Sequence, residues 1–266
     1  MRVLVVGGAG YVGSLVTPLL REHHVLRIFD PLPPAVDADH VRADATDYPA
    51  LVAAMDGVEA VVHSAMGPAE GSETELAGVS FDVNVKSVYL TLLAAHHTGV
   101  PHVVYLSSLS VYRDPTSRRL DESTPPDACD LYGLTKRLGE QVCQAAASEH
   151  GVSVNVLRLA WPTPDEAWPA WAKVQPPALV STPDGTPVQA TAATDLARAI
   201  LAALEYRDGF QLFTVSGARL WSTEKAHTLL GWSPTFGAAS DAEGVGGMHA
   251  EHGGADIGGY RAPGGE

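Results

Sequence analysis

A chain of 266 residues is long enough to bury a large core in one domain. Its formal charge is −14, from 17 Lys and Arg against 31 Asp and Glu, which argues against a nucleic-acid or anionic-membrane partner, since either needs a basic face. No apolar stretch approaches the roughly 20 residues that span a bilayer, no signal-peptide pattern opens the chain, and two cysteines are too few for a disulfide framework or a Cys-rich metal site. These features predict a soluble cytoplasmic protein with no structural metal.

Residues 2–6 form a short apolar run that reads as a buried strand. It breaks into glycines at Gly7, Gly10 and Gly13, after which residues 11–22 show helical apolar spacing. A side-chain-free turn lets backbone N–H groups approach phosphates, and the helix start adds partial positive charge, so this strand–turn–helix suits a nucleotide pyrophosphate. Further strands are expected over 25–29, 40–43, 60–63, 102–107 and 153–159, with helices over 49–55, 81–97 and 131–150. Apolar strands between amphipathic helices imply a doubly wound α/β fold, a parallel sheet covered on both faces. Ligands in such sheets bind beyond the strand C-terminal ends.

After residue 159 the texture changes. Residues 161–187 are rich in proline and hold Trp161, Trp168 and Trp171, which precludes one long helix. A helix over 194–205, a strand over 211–215 and a short helix over 223–230 complete a small substrate lobe interleaved with the last sheet elements, taken as 161–236 after a 1–160 dinucleotide domain. Residues 237–266, rich in Gly and Ala, are expected to be a flexible or partner-dependent tail.

Three groups of residues can carry chemistry. Asp30 ends the second strand, where a carboxylate can accept both hydroxyl hydrogens of an adenosine ribose and repel a 2′-phosphate, which favours NAD over NADP; as a bland alternative it is a turn residue before Pro31. Asp44 closes the third strand in the same way and competes with helix initiation, although Asp47 before Pro49 is the better cap. Tyr132 and Lys136 stand one helical turn apart, away from an apolar stripe of Leu131, Leu134, Leu138, Val142 and Ala145. A Tyr with a Lys beside it suits proton transfer to or from an alcohol. The phenol titrates near 10, and lowering it by about three units takes roughly 4 kcal/mol of differential stabilisation from nearby cations. Ser108, with Ser107 and Ser110 as alternatives, is placed to hold a substrate oxygen at the end of the fifth strand.

These glycines, Asp30, His63-Ser64-Ala65, Asn84, Ser107-Ser108, Tyr132, Lys136 and Arg158 fall in an order that resembles the extended short-chain dehydrogenase/reductase family, also called the NAD-dependent epimerase/dehydratase family. The resemblance implies a Rossmann domain that binds NAD. Gly7, Gly10 and Gly13, with Tyr11 and Val12 between them, would hold the pyrophosphate, Asp30 the ribose, and Asp44 and Ala45 the adenine. His63, Ser64 and Ala65 would line the cofactor channel, with Asn84 nearby. Ser108, Tyr132 and Lys136 would be catalytic, Lys136 also holding the nicotinamide ribose. A homodimer through the helices over 81–97 and 131–150 is implied as well.

The departures bear on substrate. Val6 replaces a usual threonine, Arg113 stands where glycine is common near the substrate entrance, and Trp161-Pro162 replaces an Asn-containing loop. The layout after the sixth strand is short and resembles that of uronate dehydrogenases. Their carboxylate-binding arginine has no clear match here, because Ala170 falls near its place; Lys173, Arg113, Arg118 and Arg119 are substitutes or plain surface charges. Trp161, Trp168 and Trp171 form an aromatic wall for a sugar ring or pack the lobe. His23-His24 and His96-His97 read as surface or capping residues, and Cys143 lacks an activating neighbour. The expected function is NAD-dependent oxidation of a secondary alcohol on a small sugar-like substrate. An epimerase or dehydratase with transient hydride transfer is the alternative, followed by a non-catalytic dinucleotide sensor.

Overall fold

The computed structural model describes residues 1–67 and 71–237. Its strands are β1 (Arg2–Val6), β2 (Val25–Phe29), β3 (Asp39–Val41), β4 (Ala60–His63), β5 (His102–Ser108), β6 (Ser153–Leu159), β7 (Pro162–Thr163), β8 (Val180–Ser181), β9 (Pro187–Val188), β10 (Thr191–Ala192) and β11 (Phe210–Val215). The helices are α1 (Tyr11–Leu20), α2 (Tyr48–Ala54), α3 (Glu73–Phe81), α4 (Ser87–Thr98), α5 (Leu131–His150), α6 (Ala193–Glu205) and α7 (Glu224–Leu230).

Seven strands form one sheet in the order β11-β6-β5-β4-β1-β2-β3, and every neighbouring pair is parallel. The chain moves outward from β1 to β3, then returns to β4 on the other side of β1. That reversal opens a crevice at the C-terminal ends of β1 and β4, where open α/β sheets bind ligands. Along β1, Val3 and Val5 join a core with Val16 and Leu20 of α1 and Leu196 and Ile200 of α6. Leu4 and Val6 face the opposite layer, with Leu51 of α2, Leu92 of α4 and Cys143 of α5. Both faces of the strand are buried, which is why it reads as an unbroken apolar run.

Several element ends shift from the sequence reading, most by a residue or two; in one helix and one strand the shift has a physical reason. The helix expected over 81–97 begins at Glu73 and runs to Thr98 through a π-helical segment, Asp82–Lys86. Ser72 and Glu75 form a reciprocal capping box at its start. The π turn inserts a residue into the helical repeat and shifts the apolar phase, so pattern reading sees only the second half. By length and composition alone this helix could cross a bilayer, but its Val88, Leu92, Ala94 and Ala95 are buried in the sheet-facing core. β3 covers Asp39–Val41 rather than 40–43, because its partner β2 ends at Phe29, paired with Val41, and Arg42 beyond it faces solvent.

Within 161–236, α6 packs on α1 and β11 extends the main sheet beside β6. β7 pairs with β10, and β8 with β9. A third apolar cluster joins Leu109, Val111, Tyr112 and Leu120 to Val180, Val188 and Trp221, seating the lobe above the end of β5. The tail expected over 237–266 lies outside the described residues except for Gly237.

Candidate active site

At the end of β1, Gly7 adopts φ +81°, and a Cβ there would lie 2.4 Å from the Ala65 backbone. A Cβ on Gly13 would meet the Gly7 carbonyl at 2.5 Å, so α1 can press this close to the turn only without a side chain. Gly10 is the N-cap of α1, with no capping side chain and no acidic residue in the first turn. The helix start therefore keeps its N–H groups and positive dipole end open to an anion. Tyr11 turns its hydroxyl away, donating to the Pro162 carbonyl at 3.0 Å, and Val12 packs toward the α1 core.

Asp30 is buried beside this turn. One carboxylate oxygen accepts Ala9 N–H at 3.0 Å and the other accepts Leu32 N–H at 2.9 Å. These bonds hold the turn around Pro31 and brace the glycine loop. Asp44 is exposed and accepts both the Thr46 N–H and hydroxyl, bonds that hold its carboxyl below the usual range. Asp47 caps α2 through Ala50 N–H, while Ala45 is buried in the core.

The end of β4 closes the other wall. Ser64 donates to the Val6 and Gly7 carbonyls, both at 3.0 Å, and Ala65 lies against Gly7. His63 is fully buried, with Nε2 at 2.9 Å from Ser87 Oγ. Because Ser87 donates its own proton to the Val83 carbonyl, His63 must be the donor, and burial drops its pKa to about 3. Asn84, inside the π segment, accepts Gly67 N–H at 3.1 Å and donates to Thr135 at 3.0 Å; Thr135 in turn donates to the Tyr132 carbonyl. One buried amide thus ties the β4 loop to α5.

Asp130 caps α5 through Gly133 N–H, setting Tyr132 in the first turn. Ser108 accepts Ser110 N–H at 3.0 Å, which leaves its proton for the phenol. Burial raises the Tyr132 pKa, a hydrogen bond with Ser108 opposes this, and Asp130 adds to the rise. Lys136 is buried with Nζ donating to the Leu106 carbonyl at 2.9 Å and lying 5.0 Å from the Tyr105 ring centroid. Burial lowers its pKa to about 8, with Glu140 working against the fall. Of the groups around the phenol, Ser108 is the one whose hydrogen bond favours its ionisation, while the Lys136 ammonium donates to the Leu106 carbonyl.

A family model described as the NAD dependent epimerase/dehydratase family matches residues 3–165, well over half of the chain. The chain belongs to this family. As a member of the epimerase/dehydratase family it is 35% identical over 170 residues to a 3 beta-hydroxysteroid dehydrogenase/Delta 5-->4-isomerase of Mycobacterium tuberculosis, covering 59% of this chain and 46% of that protein. It is 30% identical over 165 residues to a UDP-glucose 4-epimerase of Corynebacterium glutamicum, covering 59% and 50%. The match thus spans about half the length of these relatives. A uronate dehydrogenase mutant from Agrobacterium tumefaciens, complexed with NAD, has the same fold at a TM-score of 0.72 and 22% identity, covering 88% of this chain and 84% of that one.

Several residues of this epimerase/dehydratase chain sit apart from the roles the sequence reading offers them. Ser107 points into the protein: it is buried and donates to Glu140 Oε1 at 2.7 Å. Glu140 also accepts Arg158 Nε at 2.9 Å and Nη2 at 2.7 Å, and Arg158 donates onward to the Tyr112 hydroxyl. The i, i+4 spacing of Lys136 and Glu140 was the available signal for this buried network. Arg113 donates to the exposed Cys129 sulfur at 3.1 Å, and Arg118 to Asp127 at 2.6 Å. Trp161 has φ +42°, uncommon for a large side chain, and stacks near Trp221 at 5.5 Å. Trp168 contacts Phe236 instead, so the tryptophans are divided between separate packing sites. Among the described residues no group of three or more His, Cys, Asp and Glu is arranged to hold a metal.

Proposed function

We propose that the chain is an NAD-dependent oxidoreductase that oxidises a secondary alcohol of a small sugar-like or sugar-acid substrate, or runs the reverse reaction. The pairing of Ser108 with Tyr132, beyond the same edge of the sheet as the glycine turn, carries this reading. Support for a dinucleotide comes from the close packing at Gly7 and Gly13, which brings α1 tight against the turn, and from the uncapped start of α1 at Gly10. Gly7, Gly10, Tyr11, Val12 and Gly13 would hold the diphosphate through their backbone. Asp30 would take the ribose hydroxyls and disfavour a 2′-phosphate, while Asp44 and Ala45 would flank the adenine. His63, Ser64, Ala65 and Asn84 would wall the channel.

Bound there, NAD supplies a hydride acceptor. Tyr132 takes the substrate hydroxyl proton at its phenolic oxygen, and Ser108 orients that hydroxyl. Lys136 would hold the nicotinamide ribose by releasing the Leu106 carbonyl, its charge then lying near the phenol. Ser110, Arg113 and Trp161 would contact the substrate, with Arg113 first having to leave Cys129. We also propose a homodimer through α4 and α5.

The deciding experiment follows reduced cofactor during incubation with NAD or NADP and a panel of aldoses, uronates and polyols. NADH formation with NAD preferred is the expected result, with Tyr132→Phe losing 10²–10⁴-fold in kcat, about the worth of one general base, while retaining NAD affinity. Full turnover by Tyr132→Phe would remove this mechanism. Product without net NADH would move the assignment to an epimerase, the activity named for one of the relatives. NAD binding with no turnover of any substrate would instead favour a sensor.

A further inference from the structure

The lobe reaches the dinucleotide turn through a short hairpin. Its base is a pair of backbone hydrogen bonds between Trp171 and Ala178, 2.8 and 3.2 Å long. Ala172 N–H adds a bond of 3.2 Å to Thr163 of β7. Lys173 projects from this hairpin to place Nζ 5.9 Å from the Tyr11 ring centroid. Tyr11 is the first residue of α1, and its hydroxyl is held by the Pro162 carbonyl. Two contacts from the lobe therefore converge on the residue that follows Gly10.

The charge on Lys173 has no anionic partner among the described residues, although the chain carries an excess of 14 acidic groups. Partial burial lowers its pKa, and no carboxylate opposes that effect. Two of the other cations considered for an anionic ligand, Arg113 and Arg118, are engaged by Cys129 and Asp127. An ammonium on a flexible stem, steadied over an aromatic face beside an open helix start, is a suitable receptor for phosphate oxygens.

We propose that Lys173 is a phosphate-binding residue that closes the lobe side of the dinucleotide cradle, opposite the backbone N–H groups of α1. This rests on the cofactor reading above. Because the hairpin carries the lysine, diphosphate binding also holds the lobe down on α1.

Calorimetric titration of the full chain and of K173M and K173R with NADH, ADP-ribose and adenosine tests the assignment. K173M is expected to bind NADH and ADP-ribose about tenfold more weakly, the worth of one charge-assisted hydrogen bond, and adenosine as the wild type does. K173R should keep most of the affinity, and the K173M defect should shrink toward about 0.5 M salt. Wild-type affinity of K173M for NADH would overturn the assignment. So would an equal loss of adenosine, which marks a general disturbance of the hairpin, or an unchanged NADH affinity coupled to weaker substrate binding, which would make Lys173 a substrate contact. A wild-type chain that binds neither NADH nor ADP-ribose overturns the cofactor reading and this proposal together.

Discussion

Burying an ammonium beside Tyr105, His63 and Cys143 costs free energy that Glu140 and the Leu106 carbonyl offset only in part, and the Lys136 pKa falls to about 8 as a result. The sign of the linked stability follows. Between pH 8 and 10.5 the unfolded chain binds a proton at this lysine that the folded chain has released, so the lysine's contribution to stability rises with pH across that window. Below pH 8 both states are charged and the desolvation cost is fully present. Urea unfolding of wild type and Lys136→Met should therefore show the variant's advantage shrinking between pH 8 and 10.5, by on the order of 3 kcal/mol. A difference that stays flat with pH would mean the ammonium is not desolvated as described.

The helix α5 shows how polar groups can occupy a core-facing surface. Its apolar stripe of Leu131, Leu134, Leu138 and Val142 is only half-buried, and Ala145 is exposed, whereas Gly133, Lys136, Gly139, Glu140 and Cys143 face the interior. Gly139 permits the approach, since a Cβ there would lie 2.5 Å from the Tyr105 hydroxyl. The Glu140–Arg158 pair, both ends almost without solvent, makes the arrangement tolerable because each charged group is hydrogen-bonded. Removing one partner leaves the other charge unpaired, so Glu140→Gln should destabilise by about 3–5 kcal/mol in urea unfolding. Glu140→Leu combined with Arg158→Met should cost markedly less than the sum of the single changes. Additive losses would show that the pair is not coupled.

For the molecule as a whole, the apolar groups exposed on the long helix and on α5 bear on assembly. Phe81 and Tyr89 are exposed on the long helix, and the half-buried leucines of α5 extend the apolar surface. α4 and α5 pack together, and the proposed homodimer would use their outward faces. Sedimentation at tens of micromolar should give a dimer, and Tyr89→Glu with Leu138→Glu should give a folded monomer. A wild type that sediments as a monomer would remove the proposed assembly.

The strand–glycine–helix opening, the parallel α/β order, the Asp47 cap and the one-turn spacing of Tyr132 and Lys136 were legible in the sequence because each depends on neighbours in the chain: a turn that tolerates no Cβ, apolar runs, a cap, a helical period. The π segment hid half of a helix because it breaks that period. Ser107 and Ser108 are adjacent and chemically identical, yet opposite strand faces send one to Glu140 and the other to Tyr132. Residues far apart in sequence decided the rest: which face of α5 is buried, where Lys136 places its charge, and that Lys173 stands over Tyr11. Local propensity carries no information about such long-range partners, and the free energy of burying a charge is set by whichever groups the fold brings beside it.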